Sequence, residues 1–246
     1  MNIQVEWPHH PRVKALSTTR LGGCSKAPYS SLNLGDHVQD DPGCVEQNRQ
    51  ALVSQANLPV EPMWLQQTHS QIVIESEAWQ PKIEADGSIA RAAGAVCLVM
   101  TADCLPILLA DQNGSVVSAV HAGWRGLCDG ILETAVGQMA IDPAQIHVWI
   151  GPAISGRQFE VGAEVRQAFL DAIPNIVQPV EFAFVAGKTG HYMADLVKIA
   201  TLRLNALGVH SVHGGQWCTY ENEAQFFSYR RDGVTGRMAT LIWLQD

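Results

Sequence analysis

Three side chains of metal-ligating type sit in turns of small residues beside apolar runs. His69 lies in Gln67-Thr68-His69-Ser70, Cys104 in Thr101-Ala102-Asp103-Cys104-Leu105-Pro106, and His121 in Val120-His121-Ala122-Gly123-Trp124-Arg125-Gly126. Two imidazoles and a thiolate make a zinc-type donor set. Three protein ligands leave a fourth position for water or substrate, as in catalytic sites, whereas a structural zinc is normally closed by four. The separations, 35 and 17 residues, match no short finger motif, so the neighbourhoods carry the assignment. Taken singly, a strand-end His is more often a hydrogen-bonding group and a buried Cys a small hydrophobe.

The neighbours widen the chemistry. Asp103 could orient a ligand histidine or move a proton; its plain alternative is to cap a turn. Cys104 with His121 also makes a nucleophile and base, so Cys104, His121 and Asp103 form the candidate catalytic set. Arg125 offers a planar fork to phosphate or carboxylate, against an ordinary surface ion pair. Gly123 and Gly126 around Trp124-Arg125 imply close backbone approach at a helix start, a position that favours anions. Trp124 either stacks on a base or fills core. Arg20 ahead of Gly22-Gly23, and Arg230-Arg231 within Phe227-Ser228-Tyr229-Arg230-Arg231-Asp232-Gly233, are further anion candidates, the plain alternative for the latter being a solvated hairpin.

Other motifs fall away. Ala186-Gly187-Lys188-Thr189 resembles the end of a phosphate loop, but Phe182 stands where the first glycine belongs. There is neither a serine nucleophile elbow nor the Pro-Cys-x-x-Cys of cytidine-type deaminases. A multicopper cluster needs His-x-His pairs and a His-Cys-His segment, which are missing. His210 and His213 lie between Gly208 and Gly214, which predicts a loop, and His9-His10 reads as a loose pair near the start.

The elements that must position these residues alternate along the chain. Strands are predicted at Val13 to Thr18, Met63 to Gln66, Gln71 to Glu75 and Val96 to Met100. Further strands are predicted at Ile107 to Leu109, Val116 to Val120, Ile146 to Ile150 and Ala239 to Leu244. Asp41-Pro42 opens a helix with Val45, Leu52, Val53 and Ala56 on one side. A second helix follows Gly123, with Leu127, Ile131, Ala135 and Met139 at a period of four. Ala163 to Ala172 and Asp195 to Leu207 are helical, the latter stopped by Gly208. Pro81 to Ala93 reads as loop. No repeat or linker appears, so residues 1–246 are expected to form one α/β (α+β) domain with mixed sheet layers and flanking helices.

Composition bounds the rest. The net charge of −8, with 24 acidic and 16 basic residues and no Lys/Arg run, argues against a nucleic-acid partner. No apolar run approaches the ~20 residues of a membrane span. The first eleven residues lack the basic start and apolar stretch of a signal peptide. Six cysteines without a Cys-x-x-Cys pair fit reduced thiols in a cytoplasmic protein. A monomer or weak dimer is the expected state.

The Thr101–Pro106 and His121–Gly126 motifs resemble those of the YfiH-like laccase-domain family, polyphenol oxidases now regarded as purine nucleoside phosphorylases. The resemblance extends through Thr19-Arg20-Leu21-Gly22-Gly23, Leu32-Asn33-Leu34-Gly35, Asn48-Arg49, Thr68-His69, Ile150-Gly151-Pro152-Ala153-Ile154, Cys218-Thr219 and Phe227–Arg231. Ser70 departs from it, since Gly often follows that histidine. The resemblance implies a Zn2+ site on His69, Cys104 and His121, with copper uptake possible in vitro. It implies phosphorolysis of adenosine, inosine, guanosine and methylthioadenosine, some adenosine deamination, and a fold related to the CNF and YfiH-like putative cysteine hydrolases. Its partners would be a purine nucleoside and phosphate. Arg20, Asn33, Trp124, Arg125 and Arg230, which fall in these motifs, are the candidate substrate-binding residues.

Overall fold

The computed structural model describes residues 2–172 and 180–246. In chain order the first elements are β1 (Asn2–Gln4), β2 (Val13–Thr18), α1 (Pro42–Gln55), β3 (Val73–Glu75) and β4 (Gly87–Ala90). The centre of the chain supplies β5 (Val96–Thr101), β6 (Leu105–Asp111), β7 (Val117–Ala122), α2 (Trp124–Asp129), α3 (Ile131–Met139) and β8 (Ile146–Ile150). Then come β9 (Glu160–Gly162), α4 (Ala163–Ala172), β10 (Phe184–Ala186), β11 (His191–Ala194), α5 (Leu196–Ala206), β12 (Ser211–Gly214), α6 (Tyr229–Asp232) and β13 (Met238–Leu244).

Strands β5, β6 and β7 are buried along their whole length, which explains why they read as continuous apolar runs. β5 closes a four-stranded sheet, β1-β2-β13-β5, and β6 and β7 lie inside a six-stranded sheet, β12-β8-β6-β7-β4-β3. The larger sheet is mixed, antiparallel at its centre and parallel at β12–β8 and β3–β4. A small third sheet runs β10-β11-β9.

Side chains alternate across each strand and sort the core into layers. Cys97 and Val99 of β5 meet Leu108, Ala110, Val117 and Ala119 between the two sheets. Val96, Leu98 and Met100, on the opposite face of β5, pack with Leu52 of α1. Ile107, Leu109 and Val120 face the helices, against Leu127, Ile131, Ala135, Met139 and Ile199. At ~1.5–3 kcal/mol for each large apolar side chain buried, these layers hold the central strands rigid.

The expected helix ends are present: Asp41 caps α1 by accepting from the Cys44 N–H at 3.0 Å, and Gly208 (φ 89°) follows α5. Several expectations are corrected. The helix after Gly123 breaks into α2 and α3 at Gly130, whose φ of 105° no helix accommodates. The loop expected over Pro81 to Ala93 contains β4, whose small residues Gly87, Ser88 and Ala90 give no alternation signal. Met63 to Gln66 makes only isolated bridges, to Cys97 and Glu84. β7 continues through His121 to Ala122. His213 lies in strand β12, paired with Trp149, instead of a loop. The solvated hairpin weighed as the alternative for Phe227–Asp232 is absent there: Ser228 caps the short helix α6 by accepting from the Arg231 N–H at 3.2 Å. Among the described residues no helix is long and apolar enough to cross a membrane.

Candidate metal centre

The donor atoms of His69, Cys104 and His121 lie within 4.8 Å of one another. His121 is supplied by β7, Cys104 by the tight turn between β5 and β6, and His69 by the turn ahead of β3. The two imidazoles meet edge to face, ring centres 4.8 Å apart at 71°.

One buried carboxylate organises two of the three. Asp86, immediately before β4 and fully buried, accepts from the backbone N–H groups of Thr68 (3.1 Å), His69 (3.0 Å) and Ser70 (2.7 Å) and from the Ser70 hydroxyl (2.7 Å). Its Oδ1 also lies 2.7 Å from His121 Nδ1. The nest of N–H groups stabilises the left-handed backbone of His69 (φ 61°), a conformation costly for a side-chain-bearing residue. The bond to His121 Nδ1 fixes that ring and leaves Nε2 to face the other donors.

Charges follow from this packing. Burial opposes the ionised form of Asp86, but the hydrogen bonds from His121 and Ser70 hold its carboxyl below the ordinary value. Burial likewise opposes a charged His121, yet bonds to Asp86 and Cys104 outweigh it and raise the imidazole to about 9. His69 is pushed down, first by burial and then by repulsion from His121.

Gly123 makes the convergence possible. A Cβ there would collide with His69 Nδ1 and stand 3.2 Å from Cys104 Sγ. Gly126 serves the same turn, since its Cβ would come 2.7 Å from the Ser70 carbonyl oxygen. A nitrogen–sulfur–nitrogen set with a carboxylate behind one imidazole fits zinc, both in ligand type and in outer-sphere support.

The donors face a cavity of about 720 Å3, whose walls include Trp124, Arg125, Phe159, Tyr229, Arg230 and Arg237. A side chamber of about 120 Å3 opens between Ile154, Leu196, Phe159 and Asp103. Arg125 lies over Trp124 (4.5 Å) and Arg230 over Phe159 (5.0 Å), both held by ring faces. Arg230 also donates to the Glu160 carbonyl at 2.9 Å.

Of the residues singled out in the sequence, His69, Cys104, His121, Trp124, Arg125 and Arg230 thus surround one cavity. Asp103 forms the wall of the side chamber. Its carboxylate is taken up by the Thr219 hydroxyl (2.6 Å) and the Arg230 N–H (2.7 Å). The carboxylate bonded to His121 is thus Asp86 and not Asp103. The left-handed backbone of Asp103 (φ 99°) is fastened by those two bonds and by the Ile154 N–H, which donates to its carbonyl at 2.9 Å.

Arg20 and Asn33 lie outside this cavity. Arg20 donates to the carbonyls of Ser30 (2.8 Å) and Glu223 (3.2 Å) and stacks on Phe227, beside a shallow surface hollow. Asn33 is fully buried. It accepts from the N–H groups of Gly35 (3.0 Å) and Arg237 (2.8 Å), reaching the cavity only by holding Arg237. Sequence reasoning passed over Asp86, Arg237, His37 and Phe159. Asp86 sits in a stretch read as loop, and Arg237 just before a closing strand; neither carries a motif signal.

A family model described as multi-copper polyphenol oxidoreductase laccase matches residues 14–245. A purine nucleoside phosphorylase of Pseudomonas aeruginosa is 48% identical over 242 residues, covering 98% of this chain and 97% of that one. The purine nucleoside phosphorylase YfiH of Escherichia coli K12 is 47% identical over 244 residues, 98% of each. Among solved structures, a Neisseria meningitidis protein of the DUF152 family superposes with TM-score 0.95 at 44% identity, over 100% of this chain and 99% of that one. YlmD of Geobacillus stearothermophilus gives 0.87 at 32% identity, over 96% and 93%. With this extent of match in sequence and in structure, the chain belongs to the YfiH-like laccase-domain family.

Proposed function

We propose that this chain is a zinc-dependent purine nucleoside phosphorylase. It would cleave adenosine, inosine, guanosine or methylthioadenosine with phosphate, giving the free base and a sugar 1-phosphate, and deaminate adenosine as a side activity. One observation carries this reading: three zinc-type donors converge within 4.8 Å on the wall of a cavity that also holds Arg125, Arg230 and Arg237. At about 720 Å3 that cavity suits a nucleoside and an anion together. The names of relatives at 47–48% identity support the reaction class.

Zinc held by His69, Cys104 and His121 would supply Lewis acidity toward the nucleoside or a water. The chain's own residues do the rest. Phosphate attacks the anomeric carbon while the bond to the base breaks through a cationic transition state, so the anion must be fixed on the correct face. Arg125 or Arg230 holds it. Trp124 and Phe159 offer ring faces to the base. Asp103, bonded to the Arg230 N–H, positions that arginine's turn. Asp86 keeps His121 Nε2 directed at the donor set. The whole chain acts as one domain, and its free thiols fit the cytoplasm.

The test is one incubation. Zinc-loaded protein receives adenosine with and without phosphate, and products are separated by chromatography. Adenine and ribose 1-phosphate formed only with phosphate support phosphorolysis, and inosine in both tubes adds deamination. Absence of both products would overturn the reading.

A second reading has its own observation. Cys104, His121 and Asp86 stand in series, the Cys104 and His121 donor atoms within 4.8 Å and His121 Nδ1 2.7 Å from Asp86, an arrangement of nucleophile, base and orienting carboxylate. This fits a hydrolase of an amide or peptidoglycan precursor. A covalent Cys104 adduct in metal-free protein would favour it; stoichiometric zinc without an adduct would exclude it. Copper bound at the same donors in vitro would account for polyphenol oxidation.

A further inference from the structure

Cys24 and Cys44 are 20 residues apart in sequence and face each other in space. Each sulfur rests on the other residue's carbonyl oxygen, Cys24 Sγ at 3.4 Å from Cys44 O and Cys44 Sγ at 3.6 Å from Cys24 O. Cys24 is exposed and Cys44 partly so. Cys24 belongs to the loop after β2, and Cys44 to the first turn of α1. Neither lines the metal cavity, so their chemistry is independent of what that cavity binds.

The other cysteines are placed differently. Cys97 is fully buried, which pushes its thiol up to about 12, and Cys128 and Cys218 are buried. Cys104 belongs to the candidate metal centre. Cys24 and Cys44 are thus the pair with both access and mutual contact.

We propose that Cys24 and Cys44 are a reversible thiol–disulfide pair that a peroxide oxidises, fastening the loop after β2 to helix α1. The Cys24 sulfur, the more accessible, attacks one peroxide oxygen; the O–O bond breaks and one water leaves, giving a sulfenic acid. The Cys44 sulfur then attacks the Cys24 sulfur; an S–S bond forms, the S–O bond breaks and a second water leaves. The two thiols lose two electrons and two protons, and hydrogen peroxide takes them up as it becomes two waters. Cys44 is ill suited to the first step, because its hydrogen bond with the Cys24 thiol, with smaller contributions from burial and from Asp41 and Asp40, holds its proton more tightly and leaves less thiolate to meet peroxide.

Asn48 connects the pair to the cavity. Its Oδ1 accepts from the Cys24 N–H (2.9 Å), while its Nδ2 donates to Ser25 Oγ (2.9 Å) and to the Asn33 carbonyl (2.8 Å). Asn33 in turn holds the Arg237 backbone. The link therefore stiffens a loop that supports one cavity arginine.

The experiment treats the metal-loaded full chain with hydrogen peroxide, alkylates the remaining thiols and digests with trypsin without reductant. A disulfide joins peptides 21–26 and 27–49, a product that mass spectrometry identifies. The expected result is that this linked product accumulates, Tm rises by ~5–10 °C, and dithiothreitol reverses both. Cys24→Ser and Cys44→Ser each abolish the product and the rise. Oxidation of Cys24 to the sulfinic acid with Cys44 still alkylatable would overturn the proposal. So would peptide 21–26 linked to a copy of itself, both thiols remaining reduced, or a link that leaves Tm unchanged.

Discussion

On one side of the cavity His121 is buried in β7, its Nδ1 2.7 Å from an Asp86 that is itself fully buried and that holds three further N–H groups. On the other side Arg125 and Arg230 are exposed and lean on the faces of Trp124 and Phe159. The first wall is built from strand ends and satisfied buried polar groups, so its geometry exists before any ligand arrives. The second is built from a short helix, α6, and the start of another, α2, and its cations can move to meet an anion. Loss of a donor should therefore be near all-or-none, whereas loss of an arginine should be graded.

The largest expected effect comes from Cys104→Ala. It removes one of three donors, and no neighbouring group replaces it among the donors that converge. Zinc content should fall to background. Phosphate-dependent cleavage of adenosine should drop ~1000-fold or more, since metal polarisation is worth several kcal/mol. Elemental analysis and product chromatography measure the two. Retained stoichiometric zinc would remove Cys104 from the ligand set and blur the contrast between the walls.

Asp86→Asn comes next. The amide keeps the shape but loses the charge facing His121 Nδ1 and changes which of the partners around the His69 turn it can accept from. Zinc affinity should weaken ~10–100-fold with the donors still present. Competition with a chelator of known affinity reads this directly. An unchanged affinity would mean that the metal wall is held by packing alone.

Much of the metal wall was legible in the sequence because its donors sit beside apolar strand runs, β5, β6 and β7, with small residues in the turns. Those runs are fully buried, and buried strands announce themselves by composition. Asp86 was not legible. It lies next to β4, a strand of small residues, and its importance comes from four contacts formed only when the Thr68–Ser70 turn folds over it. Gly130 shows the same limit: apolar residues repeat across it at helical spacing, yet its left-handed backbone divides α2 from α3. The arginine wall was half legible. Arg125 and Arg230 stand in motifs, but Arg20, in a motif of the same kind, points to carbonyls on another surface. Nothing in its neighbours distinguishes the two outcomes, because the distinction is made by tertiary placement.

Substitution on the arginine wall sharpens the comparison. Arg125→Ala should raise the KM for phosphate ~10-fold and leave zinc content unchanged, the loss of one charge-assisted contact. Arg230→Ala should act similarly, with Arg20→Ala as a control that leaves phosphate KM unaltered. If Arg125→Ala does not change phosphate dependence, the anion lies elsewhere on the wall. If it lowers zinc content, the two walls are coupled and the contrast fails.

The smallest effect is a pH dependence confined to the metal wall. In metal-free protein the His121 imidazole titrates near 9, against 6.5 for an unperturbed histidine. A raised value stabilises the fold below pH ~6.5, where both states carry the proton, and that stability is lost as pH rises through ~9. Asp86, shifted down, contributes above its ordinary carboxylate range and loses its contribution only in acid. His69, also shifted down, favours the fold as pH rises through the unperturbed histidine value and so opposes the trend only near its start. Between pH 7.5 and 9.5 the His121 contribution should therefore dominate, lowering the Tm of metal-free protein by a few degrees, ~3–5 °C. Zinc-loaded protein should lack this fall, because a ligand imidazole has already surrendered the proton, so the Tm difference between the two forms widens with pH. Asp86→Asn in the metal-free form should flatten the profile, since it removes the partner that holds the proton on His121. A metal-free Tm that stays level over this range would place His121 outside the charged pair, and the rigidity of the metal wall would then have to come from the backbone bonds of Asp86.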